Sequence, residues 1–173
     1  MDGDRFVLNT MPIQRSDIEE MAASFGQIGW SSKGLPLFQQ YLLEHGDGLR
    51  TVLVARVDGT FAGYVTILWR SSYPLFAQEG IPEISDLNVL PRFRRQGVGS
   101  LLMSKAEGLI AVRSTAVGIG VGLHEDYGAA QRLYVRRGYV PDGHGITTRH
   151  SRVTVGESVV ADDDLVLWFT KAL

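Results

Sequence analysis

Cysteine is absent from this chain. That absence excludes disulfides, cysteine-containing zinc sites and a cysteine nucleophile together, so any group transfer must proceed without a protein thiol. No uninterrupted apolar run approaches the length needed to span a bilayer. The start, Met1-Asp2-Gly3-Asp4-Arg5-Phe6, lacks the basic stretch and apolar run of a secretory signal. A cytoplasmic protein with no membrane partner is expected. Charge of neither sign is in large excess: 17 Lys and Arg stand against 19 Asp and Glu, a formal net charge of -2. No global field draws the chain to nucleic acid, and no nucleic-acid partner is expected. His45, His124, His144 and His150 show no paired helical spacing, and Asp162-Asp163-Asp164 lacks the alternating pattern of a calcium loop, so no metal is expected either. Internal repeats, linkers and low-complexity tracts are missing as well.

What is present suits one domain over residues 1–173. The 173 residues, 45% hydrophobic and 21% charged, match globular averages. A chain of this length buries about 70% of its extended surface in a single core.

The stretch from Pro82 to Arg113 organises the rest. Glu83 to Val89 reads as a strand, which Pro91 ends because proline has no amide hydrogen for a ladder. From Gly97 onward Val98, Leu101, Leu102, Ala106, Leu109 and Ile110 recur at helical steps of three and four. Between strand and helix lie Arg92-Phe93-Arg94-Arg95-Gln96-Gly97-Val98-Gly99, short, basic and glycine-bearing. The first amides of a helix lack intrahelical partners and sit at the positive end of its dipole, so a phosphate fits there. The plain alternative is that these glycines turn the chain and the arginines keep a loop soluble.

Elsewhere the pattern predicts a first strand over Arg5 to Asn9 and a helix opened by the capping box Ser16-Asp17-Ile18-Glu19 and running to about Phe25. A second helix follows from Leu37 to His45, started by Pro36 and stopped by Gly46. Thr51 to Val57 and Phe61 to Trp69 flank Asp58-Gly59, a strong hairpin signal. Ser71 to Gly80 reads as a connection. Val117 to Leu123 reads as a strand weakened by Gly118, Gly120 and Gly122, whose spacing is not that of a dinucleotide fingerprint. Asp126 is placed as the cap of a helix through Arg137, and strands are expected within Ile146 to Val155 and at Leu165 to Thr170.

Arg94-x-x-Gly97-x-Gly99, after Leu87-Asn88-Val89-x-Pro91, closely resembles the acyl-CoA pyrophosphate loop of the GNAT superfamily of N-acetyltransferases. Ala130-Gln131-Arg132-Leu133-Tyr134, followed by Gly138-Tyr139, resembles that family's second motif. The likeness covers Pro82 to Tyr139 and, with the flanking pattern, nearly the whole chain. It implies a GNAT-like α/β (α+β) fold: a mixed, mostly antiparallel central sheet with helices on both faces. It also implies acetyl-CoA as cosubstrate and a small-molecule or peptide amine as acceptor, with a homodimer as one assembly such proteins adopt.

By the same resemblance Arg94, Arg95, Gln96, Gly97, Val98, Gly99 and Ser100 hold pyrophosphate. Asn88 and Val89 receive the thioester, the Val89 amide polarising its carbonyl. Tyr134 matches the tyrosine that protonates the departing thiolate, although a helical tyrosine beside Leu133 is otherwise a core residue. Glu83, six residues before Val89 and on its face by the period of two, resembles a strand glutamate that serves as base. Asp86 falls on the opposite face. Tyr127 stands where family members often carry an asparagine that bonds the pantetheine arm. The expected activity is direct acetyl transfer to a primary amine in a ternary complex. The alternative is a non-catalytic acyl-CoA-binding or sensor module.

Overall fold

A computed structural model describes residues 6–149 and 151–173. Arg5, where a strand was expected to begin, and His150 lie outside them. Among the described residues the strands belong to one mostly antiparallel, eight-stranded sheet. The chain divides into two compact units, residues up to Trp69 with Asp86–Gly108, and Arg70–Ser85 with Leu109–Leu173. Strand β4 (Glu83–Val89) gives its last residues to the first unit and its first residues to the second.

In the first unit β1 (Leu8–Pro12), β2 (Arg50–Val57), β3 (Thr60–Leu68) and β4 are neighbours in that order. Asp58 (φ 48°) and Gly59 (φ 79°) both turn left-handed between Val57 and Thr60, the tight hairpin that Asp-Gly predicts. Helix α1 spans Ile18–Gln27 and α2 spans Leu35–Gly46. The first is preceded by a 3-10 turn at Arg15–Asp17, where the Asp17 carboxylate accepts the Gln14 amide at 2.7 Å. The capping box therefore lies two residues earlier than Ser16…Glu19. Phe25, fully buried, packs against Phe38, Phe61 and Tyr64 with ring centroids 5.9, 5.8 and 5.7 Å away, so both helices and β3 close on one aromatic core.

Helix α4 (Val98–Ala111) buries Val98, Leu102, Met103, Ala106 and Ile110, with Glu107 also buried, at the steps of three and four that define one face. Leu109, placed on that face by the sequence pattern, is 42% exposed.

In the second unit β5 (Ala116–Gly122) pairs in parallel with β4 at Glu83↔Gly118 and Ile84↔Ile119, and antiparallel with β8 (Leu165–Ala172). The unit also holds α3 (Pro74–Glu79), α5 (Gly128–Arg136), β6 (Val140–Thr148) and β7 (Ser151–Arg152). Three expectations are corrected. The Ser71–Gly80 connection contains α3, opened by Pro74 and closed by left-handed Gly80. β6 starts at Val140, and its pairing with β8 breaks between Pro141 and Ile146, where Gly143 and Gly145 turn left-handed. Asp126 lies inside a 3-10 turn, Glu125–Tyr127, and Tyr127 is the residue preceding α5.

The glycines of β5 have a packing reason. A Cβ on Gly118 would enter the Phe76 ring, one on Gly120 would meet Trp168 and Val166 at 2.9 Å, and one on Gly122 would enter the Tyr127 ring. Alternate residues of a strand share a face, so each glycine seats an aromatic ring directly on backbone.

Candidate active site

The basic loop is built as the spacing requires. Pro91–Phe93 forms a 3-10 turn, Arg95 (φ 61°) and Gly97 (φ 85°) turn left-handed, and the Gly97 carbonyl accepts the first helical bond of α4 from Leu101 at 2.9 Å. Turns of this kind gather backbone amides into an anion-binding concavity, here at the positive end of a 14-residue helix. The side chains are partly committed. Arg94 Nε donates to the Val89 carbonyl at 3.2 Å, and Gln96 Nε2 to the Arg92 carbonyl at 2.8 Å. Arg94 and Arg95 are exposed, so both keep charge at the loop surface. Nothing lies within 4 Å of a Cβ added to Gly97, which leaves room for a bulky phosphate. Loop, charge and space fit an acyl-CoA pyrophosphate.

On β4 the structure shows what the pattern did not. Asp86 lies mid-strand with φ 52°, a left-handed conformation costing about 1–2 kcal/mol for a residue with a Cβ. Its carboxylate accepts Tyr41 Oη at 2.8 Å, Tyr64 Oη at 2.5 Å and Asn88 Nδ2 at 2.8 Å, and it pairs with the Lys33 ammonium. Burial opposes ionisation of Asp86, but the charge of Lys33 and the hydrogen bonds from Lys33, Tyr64 and Tyr41 outweigh it and hold the carboxyl below its usual range. Burial first, then the Asp86 charge, pushes the hydroxyls of Tyr41 and Tyr64 up, so both remain donors. Strained residues held by such surroundings concentrate at functional sites. The left-handed step also interrupts the pleat, so the period-two argument that put Glu83 on the face of Val89 and Asp86 opposite does not carry through.

Asn88 spends its side chain on Asp86 and on Tyr64 Oη, 3.3 Å away. β3 crosses closely behind it, since a Cβ on Gly63 would collide with the Asn88 carbonyl.

In the second unit Glu83 is buried, and Ser71 Oγ donates to its Oε2 at 2.5 Å while accepting the Tyr73 amide at 3.0 Å. It is a fixed carboxylate rather than a solvated strand end. Tyr134 is 5% exposed on α5, with its ring centroid 5.9 Å from that of Tyr139. The helix is pinned to β5 by Gln131 Nε2, which donates to the Gly122 carbonyl at 2.8 Å. Tyr127 lays its ring on Gly122 and donates its hydroxyl to Asp163 Oδ1 at 3.0 Å; His124 Nε2 lies 2.9 Å from the same oxygen.

Sequence reasoning missed Lys33, Tyr41 and Tyr64. The only signal was a polar Ser85-Asp86 pair inside an otherwise strand-like run. Among the described residues no three histidine, aspartate or glutamate side chains gather so as to hold a metal ion. No helix among them is long and apolar enough to cross a membrane.

Comparison with known proteins agrees with the fold. An N-acetyltransferase of Archaeoglobus fulgidus, itself uncharacterised, is 38% identical over 71 residues, 40% of this chain and 44% of that protein. The match thus spans less than half the length of that relative. Among solved structures, Ard1 from Thermoplasma volcanium superposes with a TM-score of 0.69 at 19% identity, covering 96% of this chain and 97% of its own. The ribosomal-protein-alanine N-acetyltransferase from Brucella melitensis gives 0.69 at 18% identity, covering 95% and 99%. At these identities the likeness is one of fold. The model of the acetyltransferase (GNAT) family matches residues 15–139, which include the basic loop, β4 and the Tyr134 helix. The chain belongs to the GNAT family of acetyltransferases.

Proposed function

We propose that residues 1–173 form one acyltransferase that moves the acetyl group of acetyl-CoA directly onto a primary amine in a ternary complex. The observation that carries this reading is the Arg94–Ser100 loop, where left-handed Arg95 and Gly97 lead into the positive end of α4. The lack of a cysteine favours direct transfer over a thiol-bound relay. Acetyl-CoA would supply the activated acetyl group as a thioester.

The chain's own residues then have distinct tasks. Backbone amides from Gln96 to Ser100 hold pyrophosphate, with Arg94 and Arg95 adding charge. The Val89 amide polarises the thioester carbonyl, an effect worth a few kcal/mol in oxyanion sites. Tyr134, buried against Tyr139, holds a proton at its hydroxyl for the leaving sulfur. An aliphatic amine near pKa 10.4 is almost wholly protonated at pH 7, and freeing it costs about 4–5 kcal/mol. Glu83, oriented by Ser71 Oγ, is the group that receives that proton.

The acceptor is an amine on a small molecule or a peptide. CoA release from acetyl-CoA against polyamines, amino acids, aminoglycosides and short peptides tests this, with Tyr134→Phe as control. Release that requires one amine class and falls about a hundredfold to ten-thousandfold in the variant, with acetyl-CoA still bound, is the expected result. Full turnover by the variant would remove Tyr134 from its role. A second reading, a non-catalytic acyl-CoA-binding module, draws on Tyr127, whose hydroxyl is given to Asp163. It predicts acetyl-CoA binding with no amine-dependent release.

A further inference from the structure

Three neutral donors hold the Asp86 carboxylate from regular elements: Tyr41 on α2, Tyr64 on β3 and Asn88 on β4 itself. Lys33 comes from the turn between α1 and α2, where its amide donates to the Trp30 carbonyl at 3.0 Å. Its ammonium pairs with Asp86 and lies 5.9 Å from the centroid of the Tyr64 ring. A carboxylate beside an aromatic face recognises any primary ammonium, by charge, hydrogen bonding and cation–π attraction. The lysine and aspartate side chains are 20% and 16% exposed, so the pair itself meets solvent, and Lys33 covers the way to the buried Tyr64 ring. Lys33, on a flexible stem, recovers its full hydration once released into water.

We propose that Asp86, with the ring of Tyr64 and the hydroxyls of Tyr41 and Tyr64, is the subsite that receives the acceptor's ammonium, and that Lys33 is a resident ammonium which the acceptor displaces. The inference rests on the amine-acetyltransferase reading above and names its substrate class, an aliphatic primary amine that arrives charged. Neutral acceptors such as arylamines or alcohols carry no charge to replace that of Lys33. Asp86, held ionised, binds the charge, and removal of the proton falls to another group.

The test uses n-butylammonium as probe and n-butanol as its neutral counterpart. In the wild-type chain, trace acetic anhydride labelling read by mass spectrometry compares Lys33 with exposed Lys105. Butylammonium should raise the Lys33 to Lys105 ratio and butanol should not. By calorimetry, Lys33→Met should bind butylammonium about tenfold more tightly than wild type, the gain expected if Lys33 occupies the carboxylate nine-tenths of the time. Lys33→Gln should gain likewise, and Lys33→Met combined with Asp86→Asn should lose the binding. An unchanged labelling ratio, or equal affinity in wild type and a folded Lys33 variant, would overturn the proposal. If both variants fail to fold, the wild-type labelling decides. Acetyl-CoA binding is measured on the same samples. Its presence without the butylammonium gain rejects this inference alone, and the gain without acetyl-CoA binding rejects the functional reading and leaves Asp86 an ammonium subsite with no acetyl acceptor to serve.

Discussion

Tyr64, a ring with no exposed surface, donates its hydroxyl at 2.5 Å to Asp86, a strand residue in left-handed conformation. Core packing and a charged group are thereby joined in one bond, and the charge is the part that pH can remove.

Asp86→Asn should destabilise the chain at pH 7 by at most roughly 3 kcal/mol, the low end of the cost of removing one partner from a buried ion pair, since this pair is only partly buried. The folded pKa of Asp86 lies below its unfolded value. Its contribution is therefore fully present above the unfolded value near 3.9 and is lost as pH falls through the folded one. Urea unfolding of wild type and variant should differ at pH 7, begin to converge below about pH 4 and meet only below the folded pKa. A gap that persists in acid would show that packing, not charge, is what the substitution disturbs.

Glu83→Gln should lower kcat/KM at pH 7 by about a hundredfold to ten-thousandfold if Glu83 takes the amine proton. The deficit should then shrink about tenfold per pH unit toward the amine's pKa near 10.4, because water supplies the free amine instead. A deficit constant with pH would leave Glu83 only its bond to Ser71.

Gly97→Ala places a Cβ on a residue at φ 85°. Strain of about 1–2 kcal/mol should weaken CoA binding by about five- to thirtyfold, measured by calorimetry. Unchanged affinity would mean that the loop conformation is not what CoA reads.

Gly118→Ala drives a methyl group into Phe76. Overpacking of this kind costs about 1–3 kcal/mol in denaturant unfolding. Phe76→Leu in the same chain should recover part of it, and strict additivity of the two would argue against the contact.

Much of the scaffold was legible because local chemistry dictates it. Asp58-Gly59 can scarcely do other than turn a hairpin, and Pro91 and Gly97 bracket the loop before α4 as their backbone preferences require. α3 escaped because six residues give too short a helical period, although Pro74 and Gly80 marked its two ends. The turn before α4 was readable because glycine spacing encodes its backbone conformation, left-handed at Gly97. The Asp86 cluster was not, because Lys33, Tyr41, Tyr64 and Asp86 are distant in sequence and only the fold brings them together. A left-handed aspartate inside a strand leaves no trace in any hydrophobic period.

The bare face of β5 has a consequence for how the second unit forms. A strand carrying Gly118, Gly120 and Gly122 has little intrinsic preference for extended backbone and, beyond the methyl of Ala116, brings no side chains of its own to that face. Two of its partners, Phe76 and Trp168, arrive from opposite ends of the unit's sequence, and Tyr127 from the turn just after the strand. The Gly118 and Gly120 part of the strand can become stable only when the distant Phe76 and Trp168 have closed over it, so the unit should assemble late, mainly through contacts of high sequence separation.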